Sequence, residues 1–80
     1  MTKQLNGFKA ALNAIAKESF DYTQFMKKSG KTEEEIKERL VQYYFDTWNK
    51  TQGLFYAASE ILNQKEYDAL YEYKVTLKFY

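Results

Sequence analysis

Eighty residues make one domain, near the lower end of what a single hydrophobic core stabilises. The 12 basic and 11 acidic residues leave a net charge of +1, which gives no electrostatic steer toward nucleic acid, membrane or acidic substrates. The absence of cysteine excludes disulfides, thiol catalysis and cysteine-ligated zinc, and the absence of histidine removes the commonest general base.

Eight Tyr, six Phe and one Trp give the short chain large side chains with which to fill a core. With no proline and only three glycines, little interrupts long helices. The N-terminal stretch, Met1 to Ile15, is broken by Lys3, Asn6, Lys9 and Asn13 and carries no leader pattern. No run approaches the roughly 20 apolar residues of a membrane span. A soluble, cytoplasmic, all-α protein of one domain, residues 1–80, is the expectation.

The first helix is predicted from about Lys3 to Lys28. Leu5, Phe8, Leu12, Ile15, Ser19, Tyr22 and Met26 recur at alternating spacings of three and four, which is one helical face. Ala11 and Ala16 widen it, while Asn13, Lys17, Asp21 and Gln24 fall on the far side. Lys27 and Lys28 suit the negative end of the macrodipole, and Gly30 suits a left-handed cap.

The second helix opens at Thr32-Glu33-Glu34-Glu35, a capping box with three acids in the first turn. Glu33 with Lys37 and Glu35 with Arg39 are spaced as i,i+4 pairs. Lys27, Lys28 and Lys31 beside Glu33 to Glu35 read first as two helix ends carrying the charges their dipoles prefer. From Ile36 through Leu40, Tyr43, Tyr44, Thr47, Trp48, Thr51, Leu54, Phe55, Ala58 and Ile61 to Leu62, the apolar and small residues stay within one arc of about 140°. That unbroken phase predicts one helix over about 33–62, with Gly53 on its outer face. The alternative is a kink or turn at Gln52-Gly53.

Asn63-Gln64-Lys65-Glu66 reads as a second capping box, starting a third helix over about 64–73. The residues after it are open: Tyr73, Val75, Leu77 and Phe79 alternate as in a strand, whereas Leu70, Tyr73, Leu77 and Tyr80 fit a helical stripe. A lone strand has no partner in this chain, so helix is favoured unless the tail pairs with a second copy or another protein. The fold class is an antiparallel helical hairpin closed by a short third helix.

No catalytic or metal-binding constellation stands out. Glu34 with Glu38 and Asp68 with Glu72 are i,i+4 carboxylate pairs, but they fall where a solvated face is expected. No glycine-rich phosphate loop and no Glu-x-x-His motif are present. The expected function is therefore non-enzymatic and needs no cofactor. A small regulatory or inhibitory protein that binds a larger protein leads. The Lys-over-Arg bias fits a low-GC bacterium or its phages.

The residues that carry this expectation are Phe45, Asn49, Gln52 and Tyr56, at i, i+4, i+7 and i+11, opposite the apolar arc. Flanking by the first and third helices would instead make Phe45 and Tyr56 ordinary core. Tyr73, Phe79 and Tyr80 form a second candidate surface. Two other functions compete: nucleic-acid binding through Lys27, Lys28 and Lys31, and a structural homo-oligomer paired through the C-terminal segment.

Overall fold

The computed structural model describes residues 3–80. Met1 and Thr2, the head of the stretch read for a leader pattern, lie outside the described residues. Three helices follow in order: α1 (Lys3–Lys27), α2 (Glu33–Ile61) and α3 (Gln64–Thr76). Helices α1 and α2 form an antiparallel hairpin, and α3 packs on both at one end. The result is a rod of 46 × 16 × 15 Å. Its radius of gyration is 14.6 Å, against the roughly 12 Å expected of a compact domain of this length.

The stop after α1 follows the expected logic. Gly30 takes φ 77°, and the Ser29 hydroxyl donates to the Met26 carbonyl at 2.7 Å. The start of α2 departs from it in one respect. The Glu35 amide does donate to Thr32 Oγ1 at 3.2 Å. The Glu35 carboxylate, however, accepts from the Thr32 hydroxyl at 3.2 Å, so hydroxyl and carboxylate satisfy each other. That engagement turns Glu35 back toward the cap, away from Arg39. Among the described residues the ion pair within 4 Å is Lys50–Glu18 at 3.5 Å, joining α2 to α1. At Asn63 both halves of the box form, with Glu66 N to Asn63 Oδ1 at 2.8 Å and Asn63 N to Glu66 Oε1 at 3.4 Å.

Helix α2 runs unbroken through Gly53. A Cβ built there would meet nothing within 4 Å, so the glycine faces open space as its phase requires. Helix α3 extends one turn past the expected end, to Thr76. Leu77 then turns extended (φ −90°, ψ 149°), and residues 77–80 form neither helix nor strand. The alternation read in this tail has a different cause from strand pairing. Leu77 and Phe79 project to one side and pack on the core, and the Phe79 carbonyl accepts from Ser19 Oγ of α1 at 2.7 Å.

The core lies at the α3 end. Leu5, Leu12, Phe55, Ala58, Leu62 and Leu70 form one cluster, flanked by Phe8, Leu54, Tyr67, Ala69, Tyr73, Leu77 and Phe79. At mid-rod the facing residues are Ser19 and Thr23 of α1 and Thr47 and Thr51 of α2, all buried. Their hydroxyls are satisfied locally: Thr23 donates to the Ser19 carbonyl and Thr51 to the Thr47 carbonyl, each at 2.8 Å. Toward the turn, Met26 and Leu40 are the buried apolar side chains. There Tyr22 stacks on Tyr43 with ring centroids 4.1 Å apart.

Two residues of the expected α2 arc are corrected. Trp48 and Ile61 are exposed, not core. Each sits at a rim of the 140° arc, and a rod only 15–16 Å across buries a narrower face than that. The expected economy of aromatics is corrected too. Among the described residues Phe55, 8% exposed, is the one buried aromatic, whereas Phe25, Phe45, Trp48, Tyr56, Tyr71 and Tyr80 are exposed.

Candidate functional site: an uncharged aromatic face on α2

Phe45 and Tyr56 are not core. Phe45 is 64% exposed, Tyr56 70%, and Trp48 between them 58%. Asn49 and Gln52 are exposed on the same face. Val41, one turn before Phe45, is also exposed and extends the strip toward the start of α2. The positions 41, 45, 48, 52 and 56 step by three and four, so these side chains line one side of the helix.

The strip lies in a stretch of sequence with few charges. From Leu40 to Ser59 the charged residues are Asp46 and Lys50. Lys50 is turned to the α1 side, where its ammonium meets Glu18. Tyr43 lies on that side as well, its hydroxyl donating to the same Glu18 oxygen at 3.4 Å. Burial raises the Tyr43 pKa, and the Glu18 charge and its hydrogen bond raise it further. Lys50 and Tyr43 thus face α1, and the strip positions 41, 45, 48, 52 and 56 carry no charged residue.

Two grooves bracket the strip. The first is lined by Val41, Tyr44, Phe45, Trp48 and Tyr80, and the second by Gln52, Gly53, Phe55, Tyr56, Ser59 and Tyr67. Tyr80 reaches the first from the C-terminal tail, its ring edge-on to Tyr44 at 4.3 Å between centroids. The three aromatics expected to form a second surface are therefore divided. Tyr73 turns toward α1, with Lys9 Nζ 5.4 Å from its ring centroid. Phe79 packs against the core, and Tyr80 joins the α2 strip.

Trp48, Val41 and Tyr44 belong to the site although sequence reasoning placed Trp48 and Tyr44 in the core arc. The signal available was the long gap between the charges of Arg39 and Glu60, broken by two residues on the opposite side. Such a gap is wider than burial against two helices requires.

The lysines of the competing reading lie elsewhere. Lys27, Lys28 and Lys31 are exposed around the α1–α2 turn. Lys27 shares a groove there with Glu33, Ile36, Lys37, Leu40, Val41 and Tyr44, so acid and base alternate around it. Glu34, Glu38, Asp68 and Glu72 are exposed, and Asp68 accepts from the Gln64 amide at 2.8 Å. Among the described residues no three Asp or Glu side chains converge as metal ligands would, and no helix is long and apolar enough to cross a membrane. No protein-family profile, curated protein sequence or solved structure matches this chain.

Proposed function

We propose that this chain is a non-enzymatic interaction protein, a small helical regulator or inhibitor that works in the cytoplasm by covering part of a larger protein with the α2 strip. One observation carries the reading. Phe45, Trp48 and Tyr56, three aromatics more than half exposed, share one uncharged helical face. Exposed aromatic surface in water is unfavourable by roughly 25 cal/mol per Å² relative to burial, and a monomer rarely keeps a contiguous apolar patch of several hundred Å² without using it. Aromatic anchors ringed by amides and free of charge at the centre match the composition of protein interfaces.

The experiment is capture from a lysate with and without nuclease, comparing the natural chain with Phe45→Glu and Tyr56→Glu. A nuclease-resistant protein that both substitutions release, at unchanged helicity by circular dichroism, is the expected result. Recovery of nucleic acid and its companions alone, with the substitutions having no effect, overturns the reading in favour of the lysines at the turn. Loss of helicity in both variants would return Phe45 and Tyr56 to the core.

A further inference from the structure

We propose that a second copy of this chain covers the strip, as an antiparallel, isologous pair of α2 helices whose two-fold axis passes level with Lys50 and Thr51. The inference rests on the strip being a docking surface, and it names what fills that surface in competition with any other protein.

Charge is the first argument. A face that meets its own copy must not bring like charges together. The charged residues between Val41 and Ser59 are Asp46 and Lys50, neither at the strip positions 41, 45, 48, 52 and 56, and Lys50 points to Glu18 on the α1 side. The whole chain bears only +1, so two copies repel weakly as they approach.

Area is the second. Three aromatics more than half exposed, with Val41 and Tyr80 beside them, offer on the order of 600 Å² of apolar side-chain surface per copy, given about 150–250 Å² for each whole aromatic side chain. Adding Asn49, Gln52 and backbone brings the face close to the roughly 800 Å² per partner of a standard stable interface.

Register is the third. An isologous interface requires that what residue i offers, residue j accepts, in both directions. Turning α2 about a level between residues 50 and 51 sets Phe45 of one copy opposite Tyr56 of the other, and Asn49 opposite Gln52. Tyr56 then enters the groove of Val41, Tyr44, Phe45, Trp48 and Tyr80, while Phe45 enters the groove of Gln52, Gly53, Phe55, Tyr56, Ser59 and Tyr67. Two protruding rings thus meet two recesses, and the amides pair across the axis. At the edge of the strip Glu60 of one copy falls level with Val41 of the other. A Cβ at Gly53 would meet nothing within 4 Å in one chain, so the glycine leaves room for the second helix to approach beside Asn49.

Sedimentation equilibrium of the full chain, from about 1 μM to about 1 mM, brackets the dissociation constants such an interface gives. A monomer–dimer equilibrium is expected. Phe45→Glu should weaken it at least about 30-fold at unchanged circular dichroism, as loss of a central anchor does. Phe25→Glu, an equally exposed ring on α1, should leave it unchanged. Because the chain has no cysteine, single introduced ones report the register. Gln52→Cys should form a disulfide-linked dimer, and Glu38→Cys should not, since its two copies lie about 37 Å apart along the antiparallel pair at 1.5 Å per residue. A monomer throughout the range, a dimer indifferent to Phe45→Glu, or efficient linkage through Glu38→Cys would each overturn the inference. The broader reading is judged separately: a monomer whose captured protein is still released by Phe45→Glu leaves the docking surface standing without the pair.

Discussion

The end of the rod that carries α3 and the end that carries the α1–α2 turn use the same two helices but hold them together differently. At the first, Leu12, Ala58 and Leu70 are fully buried among aromatic neighbours. At the second, Met26 and Leu40 are the buried apolar side chains, helped by the stacked rings of Tyr22 and Tyr43. The difference follows from length. The 13 residues of α3 span about 20 Å at 1.5 Å per residue, whereas the 29 of α2 span about 44 Å. A third helix that covers less than half of a hairpin leaves the rest as a two-helix ribbon, and a two-helix ribbon buries little. Val41 and Phe45, on the part of α2 that α3 does not cover, are among the apolar side chains left facing water.

Truncating each end should expose this contrast most sharply. Leu12→Ala or Leu70→Ala is expected to cost about 3–4 kcal/mol, and Leu40→Ala only about 2, near the low end for buried leucines. Urea denaturation of the three variants checks this, and equal losses would mean that the turn end is packed as firmly as the other. Ser19→Ala comes next. It removes the hydroxyl that holds the Phe79 carbonyl and should cost about 1 kcal/mol, with amide exchange quickening in residues 77–80 but not in α2.

Smaller and opposite in sign is Gly53→Ala. A Cβ there meets nothing within 4 Å, and the helical φ suits alanine, so a gain of about 0.5–1 kcal/mol is expected from the helix propensity alone. Thermal unfolding of dilute protein measures it, and a loss would show that Gly53 is not in plain helix. The smallest effect concerns pH. The folded Tyr43 pKa is raised, so the folded state holds that proton more tightly than the unfolded one. Its contribution is fully present below the ordinary tyrosine pKa near 10 and is lost as pH climbs through the folded value. Between about pH 9 and pH 11, the natural chain should therefore lose slightly more melting temperature than Tyr43→Phe. Parallel pH profiles would show that neither burial nor the Glu18 contact raises the Tyr43 pKa in the fold.

The fold was legible in the sequence where one physical rule governed each residue. Helical period set the limits of α1 and α2, Gly30 could supply the left-handed cap, and Asn63 and Glu66 satisfied each other's amides. The continuity of phase across Gly53 outweighed the glycine. Legibility failed where packing depth decided. Trp48 and Ile61 belong to the apolar arc by angle, yet the thinness of the rod leaves them outside. The tail failed for another reason. Alternation of Leu77 and Phe79 shows which side chains turn inward, but the receiving hydroxyl of Ser19 lies sixty residues away. Of the candidate surface, the Phe45–Tyr56 strip could be read from spacing. That Tyr80 joins it, while Tyr73 and Phe79 turn inward, could not.

The rod shape reaches beyond packing to how the molecule turns in water. A body 46 Å long and 15–16 Å wide spins faster about its long axis than it tumbles end over end. Helical N–H bonds point along their helix axes, and in so narrow a body all three helices run close to the long direction. The amides of α1, α2 and α3 therefore report mainly the slow tumbling and should share one nitrogen-15 relaxation ratio, with residues 77–80 departing from it. A side-by-side pair would thicken the rod without lengthening it much, bringing the two rotational rates closer together. Diffusion anisotropy would then record, in one solution spectrum, whether α2 faces water or its own copy.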